Sequence, residues 1–226
     1  MGSARIVPEQ HGYGILLVLV IASFVVQVAA PDTDFSRLVV VWLGAVTLVF
    51  AVRVARAGHR LIQVGAVVAG VLAIGSTAML LVEGEVGQGV TAIVSGLLVG
   101  LAPPVIAAGV LRDMRVTQSV TLHTLAGVLA IYVLAGMCFS FIYTAIGHFE
   151  SAPFFAEVLA PNRSDYLYFS YVTLTTTGFG DLTAESDLGR TFVVVEALFG
   201  QIYLVTIVAL IVTNLRPRAA RDRTRS

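Results

Sequence analysis

Apolar residues fall in six runs along the chain, at about 14–30, 37–55, 61–82, 89–111, 122–147 and 190–215. Each run holds about 17 to 26 residues, and a helix of that length crosses about 30 Å of hydrocarbon. A membrane strand would instead alternate apolar and polar residues over about ten positions, and these runs do not alternate. The pattern predicts an all-α membrane protein with six transmembrane helices. No small-residue cleavage site follows the first run, so it is expected to stay in the protein as a helix.

One polar segment breaks the rhythm. About 43 residues separate Gly147 from Arg190, whereas the earlier external loops hold about six, and helix connections in bundles are usually about two to eight residues. Inside it lies SDYLYFSYVTLTTT, apolar and aromatic but too short to span a bilayer. Ser164 or Asp165 is positioned to cap it as a short helix. A half-length apolar helix followed by a glycine-rich turn predicts a re-entrant pore helix and loop between helices 5 and 6.

Composition strengthens this picture. Of 226 residues 57% are hydrophobic and 12% charged, about half the charged share of a soluble domain. The net charge is zero, which excludes a nucleic-acid surface as a partner. Every basic residue is arginine, so neither Schiff-base lysine chemistry nor a phosphate-loop lysine is available. Cys138 is the single cysteine, and a small packing residue is the natural reading of it. His59, His123 and His148 are scattered without metal-site spacing.

Charge also orients the spans. Arg5, Arg53, Arg56, Arg60, Arg112, Arg115 and the tail arginines 216–225 share one side; Arg37, Arg163 and Arg190 take the other. Positive charge marks the cytoplasmic face, so a multi-pass protein of the cell membrane with both termini cytoplasmic is expected. The opposite side collects Asp32, Asp34, Glu83, Glu85, Glu150, Glu157, Asp165, Asp181, Glu185 and Asp187, a surface that would concentrate cations. Voltage sensing requires several arginines within a span. The fourth run has none, and its Pro103 and Pro104 predict a kink or break.

The re-entrant segment ends in TTTGFGD, residues 175–181. Gly178 and Gly180 permit left-handed backbone at alternate positions, and such alternation turns successive carbonyls toward one side. YFSYVTLTTTGFGD resembles the potassium-channel pore family, whose filter is usually written TVGYG. The resemblance covers about 90 residues, from His123 to Leu215, as outer helix, pore helix, filter and inner helix. It implies a homotetramer in the lipid membrane. The filter carbonyls of Thr176, Thr177, Gly178 and Phe179, with Gly180 closing the motif, would hold permeant K+ as the only bound group. Asp181 would stand at the outer mouth, with Tyr168, Phe169 and Ser170 supporting the filter from the pore helix. Thr177 replaces the usual valine or isoleucine, and Phe179 replaces a tyrosine whose hydroxyl ties the filter to the pore helix. Val172 stands where some members keep a glutamate.

Glu196 is the one acid within a span, and an intramembrane carboxyl is by default a functional residue. Bracing of the pore helix through Ser170 or Thr173 is favoured over a direct ion site. Gly200, near the middle of the last span, reads equally as a hinge or as a close-packing position. Residues 1–115 are expected to form a four-helix region without sensor arginines. The pore domain follows at 116–215, then a basic cytoplasmic tail at 216–226 without a soluble ligand-binding domain. The chain is read as a passive potassium channel and not an enzyme. A weakly selective cation channel is the alternative, and a secondary transporter is the more distant one, since neither paired inverted repeats nor a catalytic cluster is evident.

Overall fold

Seven helices hold most of residues 12–55, 58–79, 85–117 and 121–214, which are the residues that the structure, a computed structural model, describes. They are α1 (Gly12–Ala29), α2 (Asp34–Val54), α3 (His59–Met79), α4 (Glu85–Thr117), α5 (Leu122–Phe149), α6 (Arg163–Leu174) and α7 (Asp187–Asn214). All but α6 are long and apolar enough to cross a membrane. Arg5, Arg56, Glu83 and the basic tail 216–226, which the orientation reading used, lie outside the described residues.

Local chemistry sets several helix starts. Thr33 caps α2 and Thr121 caps α5, each exchanging side-chain bonds with the residue three positions on, Ser36 and Thr124. The cap of α6 is Asn162, not Ser164 or Asp165. Its side chain accepts from the amides of Ser164 (2.8 Å) and Asp165 (3.2 Å), while Asp165 accepts from the Asn162 amide at 2.8 Å. Asp165 therefore takes the third position of a capping box. Nor do Pro103 and Pro104 break α4, which continues through both. Prolines in an apolar span are tolerated where neighbouring helices enclose the freed carbonyls, and Ala102 and Ile106 beside them are fully buried.

α5 is the hub. It packs against α4, α1, α6 and α7, while α2 bridges α1, α3 and α4. Small residues set the closest approaches. Cys138 Sγ lies 2.9 Å from where a side chain on Gly100 would begin, and the Tyr171 ring lies 2.7 Å from the same point on Gly136. Cys138 thus serves as a small packing residue between α4 and α5. Gly136 admits Tyr171 of α6, whose hydroxyl donates to the Val133 carbonyl at 2.6 Å.

The segment 150–162 folds back over α6. Phe154 and Phe155 are fully buried and join Tyr143, Tyr166 and Phe169 in an aromatic cluster with ring centroids 4.8–6.0 Å apart. A single antiparallel bridge, Phe155 to Ala184, ties this segment to the chain beyond α6. Its bonds run from the Ala156 amide to the Thr183 carbonyl (3.1 Å) and from the Glu185 amide to the Phe154 carbonyl (2.9 Å). Glu157 closes the junction by accepting from the Thr183 hydroxyl (2.6 Å) and amide (2.9 Å). Those two bonds hold its carboxyl below the ordinary value of 4.5.

A carboxyl with a lowered value in the folded state stabilises that state above its unfolded value and loses the contribution as pH falls through the folded one. The stability difference between the native protein and Glu157→Gln should therefore be constant above about pH 5 and shrink at more acid pH. Thermal unfolding of both proteins in detergent across that range checks this; parallel curves would show that the Thr183 contact carries no pH dependence.

Candidate functional site

α6 has 12 residues and spans only about 18 Å. Its last carbonyls must find donors beyond the helix, and the next residues supply them. The Thr176 amide donates to the Thr173 carbonyl at 2.8 Å and the Thr177 amide to the Val172 carbonyl at 2.9 Å. These are the paired bonds of a Schellman ending, in which the first residue past the cap is left-handed. Glycine usually occupies that place, but here it is Thr176, at φ 55°, the one non-glycine residue at positive φ among the described residues. For a β-branched residue this conformation costs about 1–2 kcal/mol.

The reversal then repeats. Thr175 is right-handed, Thr176 left-handed, Gly178 has φ 57° and Gly180 has φ 79°, while Thr177 and Phe179 stay at negative φ. Positive φ thus recurs at every second position from Thr176 to Gly180. Thr177 directs its hydroxyl to Thr175, 2.8 Å away, and Thr175 also donates to the Tyr171 carbonyl at 2.7 Å. Residues 175–180 are exposed, and no atom lies within 4 Å of where a side chain on Gly178 or Gly180 would begin.

Beyond the loop, Tyr168 donates to Asp181 Oδ2 at 2.7 Å, and its ring lies parallel to that of Phe179, with centroids 6.5 Å apart. Phe169 points the other way, into the aromatic cluster against Tyr143, Phe154 and Phe155. Of the two aromatic residues singled out in the sequence, Tyr168 alone faces the loop.

On the other side of α6 stands α7. Glu196 is fully buried. Its Oε1 is 2.5 Å from Ser170 Oγ, and its Oε2 accepts from the Tyr143 hydroxyl at 2.5 Å. Ser170 Oγ also lies 2.7 Å from the Gly136 carbonyl. One carboxyl thus joins α5, α6 and α7. Tyr143 was not evident from the sequence, since 53 positions separate it from Glu196 and no local spacing links them.

One turn further on, Gly200 meets the Leu174 carbonyl, which occupies the space that a side chain at 200 would need. The Tyr132 hydroxyl reaches the same carbonyl at 3.4 Å. Residues 196 and 200 of α7 therefore face 170 and 174 of α6, so that the two helices meet in register. Gln201, Leu204 and Val208 are exposed along α7. Among the described residues no group of three or more His, Cys, Asp or Glu side chains could hold a metal ion.

Gly200→Ala should force α7 away from the end of α6. Overpacking of this kind costs about 1–3 kcal/mol, read as a lowered unfolding temperature in detergent. An unchanged unfolding temperature would mean that the helices separate freely at this contact.

Residues 128–216 match the family model described as "Ion channel". A stretch of 46 residues is 48% identical to "Probable potassium channel protein 2" of Methanocaldococcus jannaschii, covering 19% of this chain and 13% of that protein. The matched range takes in α6, the alternating loop and α7. This chain is a multi-pass membrane protein, and its residues 128–216 are similar to the ion-channel family.

Proposed function

We propose that four copies of the chain form a potassium-selective channel, with residues 175–181 of each copy as one quarter of the filter. The observation that carries this reading is the left-handed backbone at Thr176, Gly178 and Gly180, in a loop that its own chain leaves uncovered. One row of carbonyls gives a cation an incomplete shell. Four rows around an axis replace its water on all sides. The surface of α7 agrees with such an assembly. Only 11% of its membrane window is buried within one chain, and Val194, Val195, Leu198, Ile202 and Val205 are exposed.

In this reading α6 re-enters from outside, its negative helix end aimed at the pore. Carbonyls of Thr176, Thr177, Gly178 and Phe179, with the Thr176 hydroxyl, hold dehydrated K+, and Gly180 closes the filter. Asp181 stands at the outer mouth. Ions move passively down their gradient, and no enzymatic step or cofactor is involved. Both termini lie in the cytoplasm and the channel sits in the cell membrane. Residues 1–115 form a scaffold around the pore domain 116–215, and 216–226 is the basic tail.

Glu196 braces the pore helix. Ser170 has one hydroxyl proton and two acceptor atoms within reach, the Gly136 carbonyl and Glu196 Oε1. A proton on Glu196 completes the set, giving one donor for each link from Tyr143 through Glu196 and Ser170 to Gly136. Glutamine can reproduce that pattern, with its amide NH2 toward Ser170 and its carbonyl toward Tyr143. Glu196→Gln should therefore keep assembly and conduction, whereas Glu196→Ala leaves the buried Tyr143 hydroxyl without its partner at about 1–3 kcal/mol and strips Ser170 of its link to α7. Loss of function in both variants alike would point to a charged Glu196 acting on the ions directly.

The reading as a whole is tested with purified protein in planar bilayers, with potassium and sodium exchanged and voltage stepped. Ohmic unitary currents whose reversal follows the potassium gradient are expected, without steep voltage dependence. A reversal potential insensitive to the exchange would leave a weakly selective cation channel. Saturable, gradient-coupled uptake without unitary currents would instead identify a secondary transporter.

A further inference from the structure

A cavity lies well away from the loop 175–181, among the start of α2, the first third of α4, the end of α5 and the start of α6. It measures about 90 Å³, and its polar lining includes Asp32, Arg37, Thr91, Thr144 and Arg163. Arg163 stands at a boundary, because it and Asp32 also line a neighbouring cleft that Gln27 enters from α1. No role in conduction calls for this chamber.

Its two arginines are not held alike. Arg37 is held by Asp32 at 3.0 Å and by Asp34 at 3.4 Å. Arg163 donates from Nη2 to the Ala30 carbonyl at 3.3 Å, while its buried Nε and Nη1 meet no acceptor. Gln27, 1% exposed, has neither amide atom bonded. Burial holds the Arg163 guanidinium below its ordinary range; Asp32 opposes that effect, and Arg37 adds to it. Buried guanidinium N–H groups normally meet an acceptor, and water would satisfy them without supplying an opposite charge. The volume is about three waters' share of liquid, enough for one phosphate group and too small for a whole organic ligand.

We propose that this chamber is an oxyanion site, in which Arg163 holds a phosphate group that joins the outer ends of α1, α2, α5 and α6. Guanidinium suits phosphate because its planar N–H groups meet the oxygens directionally and it stays charged. The group could come from a phospholipid headgroup, since the chamber opens near the ends of the spans, or from free phosphate. The site is independent of the channel reading and would stand if the pore proved unselective.

The experiment uses full-length protein, delipidated in neutral detergent. Unfolding temperature is followed against inorganic phosphate at fixed ionic strength, and separately against phosphatidylglycerol with phosphatidylcholine of the same tails as comparison. A saturable rise is expected in the native protein, and Arg163→Gln should abolish it. Arg163→Lys, which keeps the charge without the planar fork and serves if the glutamine variant does not fold, should need about tenfold more phosphate, equivalent to about 1.4 kcal/mol. A rise with lipid alone assigns the site to a headgroup, and a rise with phosphate assigns it to a free oxyanion. No rise with either, or the same rise in the Arg163 variants, would leave only a water-filled cavity and overturn the proposal.

Discussion

Everything at the candidate site follows from a helix that ends too soon. α6 is 12 residues long, and the carbonyls of its last turn cannot be left unpaired away from water. The chain answers by doubling back, so that the amides of Thr176 and Thr177 serve Thr173 and Val172. That reversal requires a left-handed residue, and it sets the phase for Gly178 and Gly180 to follow at alternate positions. Satisfying the helix end and building the carbonyl row are thus one structural act.

Holding this reversal in place falls to the helices behind it. Thr176 is strained, and such residues persist where their surroundings over-determine them. Three contacts do this from below and beside the loop. Gly136 lets Tyr171 lie against α5, Glu196 joins Ser170 to Tyr143, and Gly200 receives the Leu174 carbonyl. The last contact bears on the earlier choice between hinge and packing at Gly200. A glycine whose missing side chain is filled by a carbonyl at the end of α6 has a packing reason to be glycine, and any bend of α7 there would act on the residues leading into Thr176.

What the sequence made legible was what local chemistry determines. Six apolar runs became six long helices, because length and apolarity are summed along the chain. The match over 128–216 lies where TTTGFGD and its flanks stood out. Legibility failed where the partner was distant or competing residues adjoined. Asn162, Ser164 and Asp165 are all plausible caps by type, and the helix boundary decides among them. Phe169 adjoins Tyr168 in sequence yet turns about 100° around the helix, which carries it to Phe154 and Phe155. Pro103 and Pro104 announced a break that the surrounding helices absorb. The lone carboxyl of Glu196 was visible, but Tyr143 was not, because only the packing of α5 against α7 brings it near.

In the proposed channel, the two departures from the family filter acquire a physical counterpart at the outer mouth. Phe179 has no hydroxyl to bond the pore helix, so the tie that a tyrosine would make is missing. The pore helix instead offers Tyr168, which bonds Asp181 two residues beyond and lies parallel to the Phe179 ring. Thr177 brings a hydroxyl where the family has hydrocarbon, and Thr175 takes it up. Glu157 secures Thr183 on the far side of Asp181. None of these bonds involves a carbonyl of residues 176–179. In the proposed channel, a filter of this composition is braced by side-chain bonds that leave the carbonyls of residues 176–179 free.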